Sequence, residues 1–247
     1  MNKIFKAAQW YYDVTSMMNF YREINNFISS PTVLAVYLKS LQVMTATEEG
    51  ERVVEDESIK RPFIENATTN IKDAAKFYNR QMLVVASTYI EMIQKNFIAV
   101  LFANHPERMY EYLYPEGREN DKGVVSLKEV IKSASKDALI NQLSEQAMAN
   151  AVKGRINASM NNLSKIAAEK IPDQLKKKLI EIVVCRNRVV HEASQEVIRS
   201  EDVIDALDTC HEFIEYLVSV SSTNKIEIDN YTPFDDREPP MYESPMS

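Results

Sequence analysis

Apolar residues recur in steps of three and four along most of this chain, the spacing of one helix face. The pattern is most regular at Ile71, Ala74, Ala75, Tyr78, Met82, Val85, Tyr89, Ile93, Phe97 and Val100, and predicts a helix that ends at Asn104-His105-Pro106. An aromatic-rich helix is expected over 4–28, closed by Ser29-Ser30-Pro31. Ser30 as N-cap, with Pro31 at the first helical position, opens a second helix through about Thr45. Arg61-Pro62 is expected to break the chain. Ser126-Leu-Lys-Glu129 has capping-box spacing and starts a short helix. A long helical stretch follows over 136–168, with a break near Gly154. Pro172 opens the next helix, with Leu175, Leu179, Ile182 and Val183 facing inward. Ser200 caps the last, whose first turn holds Glu201 and Asp202, and which runs to about Ser222. A strand is suggested only at 225–229. The expected fold class is all-α, an antiparallel helical bundle with long helices.

The remaining segments are polar. An acidic stretch (Glu48, Glu49, Glu51, Glu55, Asp56, Glu57) reads as a loop or an exposed helix, and 107–125 as mostly loop. From Asn224 onward the chain has four prolines and six acids against two bases, the composition of a disordered tail or a docking peptide. The expected organisation is an N-terminal helical extension (1–60), a helical domain (61–223) and a Pro-rich acidic tail (224–247).

Composition narrows the function classes. Only 4 of 247 residues are Gly, against 9 Pro, which leaves little material for phosphate-cradling loops or tight hairpins. P-loop kinases, Rossmann enzymes and β-sandwiches are poor fits. No apolar run is long enough to span a bilayer and no secretory h-region is evident, so no membrane association is expected. Two cysteines suit a reducing cytoplasm. The net charge of −7 argues against indiscriminate coating of nucleic acid. Charge is uneven, however. Residues 153–188 carry nine bases and three acids, a local excess of +6 that can still meet a phosphate chain.

Of the three histidines, His105 reads as a turn residue and His211 as packed or on the surface. His191 has more telling company, in Val183-Val184-Cys185-Arg186-Asn187-Arg188-Val189-Val190-His191-Glu192. On a continuing helix, Asn187 and His191 are i and i+4 and share a face. Arg186 is rotated by about 100°, but its long side chain can swing into the same groove. A permanent cation, an amide and an imidazole suit the binding of a phosphate and the transfer of a proton beside it. Composition alone gives about 0.01 expected cases of Arg-Asn followed by His at this spacing.

Arg-Asn-x-x-x-His after a hydrophobic helix, followed by a loop and a last capped helix, resembles the HEPN superfamily, in particular its RiboL-PSP-like and toxin-type members. The signature of these helical domains is Arg, four to six residues, then His, often with a polar residue after the Arg. Val84-Val85-Ala86-Ser87-Thr88-Tyr89-Ile90-Glu91 resembles the family's early helix, which often carries an inward Glu. The likeness covers roughly 70–222. It implies metal-independent endoribonuclease activity with no cofactor, in a composite site at a homodimer interface. There the RNA 2′-OH attacks the adjacent phosphate, leaving a 2′,3′-cyclic phosphate and a 5′-OH. Carried over, His191 is the general acid or base, Arg186 stabilises the phosphorane, and Asn187 orients His191 or the phosphate. Glu91 supports Arg186 or His191. Arg188, Lys176, Lys177 and Lys178 are candidate RNA contacts. Family members neutralised by modification of a Tyr carry it two residues after the His. Here that residue is Ala193.

The resemblance further implies a toxin or anti-phage defence effector, with RNA as substrate and an antitoxin or regulatory protein as partner. The acidic segment 48–57 or the tail could fold over the basic stretch 153–188. A zinc site from Cys185, His191, Cys210 and His211 has no compact ligand spacing. A hydrolase using Ser194 and His191 lacks a nucleophile elbow. Aromatics at 5–21 (Phe5, Trp10, Tyr11, Tyr12, Phe20, Tyr21) could stack bases, but at helical spacing they suit a core or dimer contact better. The main alternative is a non-catalytic HEPN-like binding or scaffold module.

Overall fold

A computed structural model describes residues 3–47, 50–54, 56–113, 127–191 and 197–229. Among these it contains nine α-helices and one small hairpin, an all-α bundle as the periodicity predicts. The helices are α1 (Ala7–Ser29), α2 (Pro31–Ser40), α3 (Glu57–Asn104), α4 (Tyr110–Leu113), α5 (Leu127–Lys132), α6 (Lys136–Ala151), α7 (Ile156–Ala167), α8 (Asp173–His191) and α9 (Ser200–Thr223). A 3₁₀ turn, Pro106–Met109, follows α3.

The bundle is built around the C-terminal half of α3. Its buried stripe, Met82, Ala86, Ile90, Ile93, Phe97 and Leu101, keeps the expected three-and-four spacing. α1, α6, α8 and α9 pack around it. Phe5, Val14, Met18 and Tyr21 lie in the same apolar cluster as α3 and α9, so α1 is part of the core. A division at residue 60 would fall inside α3.

Four local expectations need correction. Arg61-Pro62 does not break the chain: α3 starts five residues earlier. The Asp56 side chain caps the helix by accepting from the Ser58 N–H at 2.8 Å, and Pro62 removes only the helical donor to the carbonyl of Ser58, an exposed residue. α2 stops at Ser40 rather than Thr45, because the chain turns into β1 (Met44–Thr47), antiparallel to β2 (Gly50–Val53). Part of the acidic stretch, at Glu51, is therefore strand, and the pairing is extended by the Val54 N–H donating to Val43 O at 2.7 Å. Glu48, Glu49 and Glu55 lie outside the described residues. Ser200 is the first helical residue of α9 rather than its cap. The cap is Arg199, whose backbone N–H donates to Asp202 at 2.8 Å.

The fourth concerns the start of the tail. Asn224 and Ile226 are buried, and 225–229 forms a parallel bridge, Phe5 to Ile228, in place of a strand of its own. The Phe5 N–H donates to Glu227 O at 2.9 Å, and the Ala8 N–H to Asp229 Oδ1 at 2.8 Å. Residues 230–247 lie outside the described residues. The expected break in the 136–168 stretch is present at Gly154, where φ of 103° suits glycine and separates α6 from α7.

Candidate functional site

Leu175, Leu179 and Val183 bury one side of α8 against the core. This sets the direction of everything after them. Arg186 lies three residues past Val183, at the edge of the packed face, and its guanidinium reaches across to α3. It forms an ion pair with Glu91 and donates from Nε to Ser87 Oγ at 3.3 Å. Another of its N–H groups donates to Asn187 Oδ1 at 3.0 Å. Ser87 and Glu91 are i and i+4 on α3, so one stripe of that helix holds the guanidinium. The pair is partly buried, with side-chain exposures of 21% for Arg186 and 31% for Glu91.

Asn187 is exposed, as is His191, the last residue of α8. Their i and i+4 relation on one helix is as the sequence predicts. Val184 and Val190 are also exposed on this stretch, at 43% and 50%. Arg186, Asn187 and Glu91 line a cleft of about 640 Å³ between α3, α7 and α8. His191 does not line it. It stands one turn beyond Asn187 on the open end of the helix.

The other candidates fall elsewhere. Lys176 donates to Asn161 Oδ1 at 2.6 Å, Lys177 lies 3.8 Å from Glu181, and Lys178 pairs with Glu212 at 2.6 Å. These three occupy the N-terminal half of α8, and none lines the cleft at Arg186. Lys178 instead edges a separate acidic cleft between α8 and α9, with Asp205, Asp208 and Glu212. Arg188 is exposed beside Asn187. Glu192, Ala193 and Ser194 lie outside the described residues.

His211 stacks on Tyr11 with centroids 4.3 Å apart and meets Thr15 Oγ1 at 3.1 Å. Burial holds its imidazole below the ordinary histidine range, against a smaller opposing pull from Asp208. His105 Nε2 meets Asn224 O at 2.8 Å and fastens the end of α3 to the end of α9. Cys210 is fully buried, and burial pushes its thiol up to about 12. Among the described residues no cluster of His, Cys, Asp or Glu is arranged to hold a metal ion, and no helix is long and apolar enough to cross a membrane. Of the N-terminal aromatics, Phe5 and Tyr21 are core, while Tyr12 and Phe20 are more than half exposed.

Several residues of the cleft lie outside the Arg-Asn-x-x-x-His segment. Ser87 is fully buried under the guanidinium, and Lys95 lies 4.0 Å from Glu91 on the same stripe. The repeat Ser87-x₃-Glu91-x₃-Lys95 is a sequence signal that would have found both. Gln94 and Ser159 close the cleft floor with a buried hydrogen bond of 2.8 Å, and Arg155 edges it from the α6–α7 turn. Nothing in the sequence pairs these with α3.

No family model, curated protein or solved structure matches this chain.

Proposed function

We propose that this chain is a metal-independent endoribonuclease of the HEPN type, active as a homodimer in the cytoplasm. We propose further that it serves as a toxin or anti-phage effector restrained by an antitoxin or regulatory protein. The observation that carries the reading is the state of Arg186. A guanidinium has five N–H donors. Glu91, Ser87 and Asn187 take one each, which fixes its plane and leaves two for phosphate oxygens. Such a group is pre-positioned for charge that develops on a phosphorane.

His191 supplies the proton chemistry. In the dimer, one His191 takes the proton of the 2′-OH as the 2′-O–P bond forms, and the partner copy gives a proton to O5′ as the P–O5′ bond breaks. No water or metal is consumed in that step. Asn187 holds the phosphate or the imidazole in line. The exposed Val184 and Val190 on the same stretch of α8 suit the approach of a second copy.

One observation favours a second reading, a non-catalytic scaffold. Glu91 already neutralises Arg186, which suits a structural tie between α3 and α8. Incubation of the purified protein with bulk RNA in EDTA separates the two. The nuclease reading expects fragments with 2′,3′-cyclic phosphate and 5′-OH ends, lost in Arg186→Ala and in His191→Ala. Absence of cleavage by the wild type at high protein concentration would leave the scaffold.

A further inference from the structure

The cleft at Arg186 is larger than one scissile phosphate needs. Its wall carries three cations from three elements: Lys95 of α3, Arg155 before α7, and Arg186 of α8. Glu91 is the one carboxylate among the lining residues, so three positive charges against one negative leave +2. The cations are in different states. Arg186 is committed to Glu91, Ser87 and Asn187. Lys95 is 46% exposed and only 4.0 Å from the already shared Glu91. The exposed Arg155 guanidinium makes no hydrogen bond or ion pair among the described residues. Two cations with no carboxylate of their own therefore stand at the mouth of a cleft whose floor is closed by Gln94 and Ser159.

The start of α7 adds to this. Arg155, at the N-cap, provides no side-chain acceptor, and the first turn holds no acid. Ile156 and Asn157 of that turn line the same cleft. The positive end of the helix dipole and an amide side chain thus border the two cations. Cations that outnumber the acids beside them favour a bound anion.

We infer that this cleft binds a backbone phosphate of single-stranded RNA, with Lys95 and Arg155 as its counter-charges, next to the linkage presented to Arg186. The inference rests on the reading above for the identity of the strand, and it assigns a binding role to residues outside the Arg-Asn-x-x-x-His segment. Phosphate contacts of this kind position a strand without reading its sequence. They also make binding depend on salt.

The probe is a 2′-O-methyl RNA oligonucleotide, which has no free 2′-OH and cannot be cut, titrated against the full chain at several salt concentrations. Each phosphate contact on a single strand contributes a slope of about −0.7 in log K against log salt, or about fivefold in affinity at 0.1 M relative to 1 M. Lys95→Ala and Arg155→Ala are each expected to flatten the slope by about 0.7 and weaken binding about fivefold at 0.1 M. Arg155→Lys should keep most of the affinity, and Lys76→Ala, exposed on the far half of α3, should keep all of it. Wild-type affinity and slope in both alanine variants would overturn the inference. So would absence of binding by the wild type, or equal competition by poly-glutamate, which would mark an acidic-peptide site. Cleavage of unmodified RNA is scored separately. Binding that depends on Lys95 and Arg155 without cleavage would sink the nuclease and leave the cleft; cleavage with unaltered binding would do the reverse.

Discussion

Arg186 and Glu91 form an ion pair that ties the C-terminal half of α8 to the C-terminal half of α3. The pair is neither fully buried nor freely solvated, so its worth falls between those of surface and interior ion pairs. Lysine has one nitrogen where Arg186 uses three to reach Glu91, Ser87 and Asn187. Arg186→Lys is therefore expected to lower stability by about 1–2 kcal/mol, read as a drop in urea midpoint. An unchanged midpoint would show that the pair contributes nothing to the fold and that its geometry serves something else.

His191 offers the complementary experiment. It is exposed at the helix end and makes no hydrogen bond or ion pair among the described residues. His191→Ala should shift stability by no more than about 0.5 kcal/mol. RNA cleavage should vanish in the same preparation. A variant that melts like the wild type and still cuts RNA removes His191 from the mechanism.

Asn79 joins three elements away from the cleft. It accepts from the Tyr21 hydroxyl at 2.8 Å and donates to Ile198 O at 3.0 Å. Burial, with Tyr78 alongside, pushes the Tyr21 hydroxyl up to about 12, so it stays a donor at any ordinary pH. Asn79→Leu leaves both partners unsatisfied in a buried place and is expected to cost about 2–3 kcal/mol. Denaturant unfolding measures this, and a cost near zero would mean that water replaces the amide.

His211 gives the fold a pH dependence of definite sign. Its folded-state value is depressed by burial, below the ordinary value near 6.5. The unfolded chain therefore takes up a proton at higher pH than the folded one does. The contribution of His211 is fully present above about pH 6.5 and is lost as pH falls through the window down to the folded-state value. His211→Gln should flatten the stability curve in that window. Parallel curves for variant and wild type would assign any acid sensitivity to other groups.

The legible parts of this molecule are those where local chemistry and tertiary packing agree. The C-terminal half of α3, the break at Gly154 and the run of α8 followed directly from spacing and caps. The hairpin at 44–53 was hidden because each strand has only four residues, too few for a period of two to stand out. Pro62 misled because proline cost depends on what the lost donor served, and here it served the carbonyl of an exposed residue. At the candidate site, Arg186, Asn187 and His191 could be placed on one helix from sequence, and Glu91 could be suspected. The partners at Arg155, Gln94 and Ser159 could not, because they meet only through the crossing of α3 with α7, which no local pattern encodes.

The 48 residues of α3 form one continuous helix that carries Asn79, Ser87, Glu91 and Lys95. The α3 side of the cleft is therefore written in angular phase along a single rod. Removing one residue between Asn79 and Ser87 would rotate everything downstream by about 100° relative to what precedes it. Either Asn79 would lose Tyr21 or Glu91 would turn away from α8, with every side chain still present. In this stretch of the molecule, a count of residues is itself a functional specification.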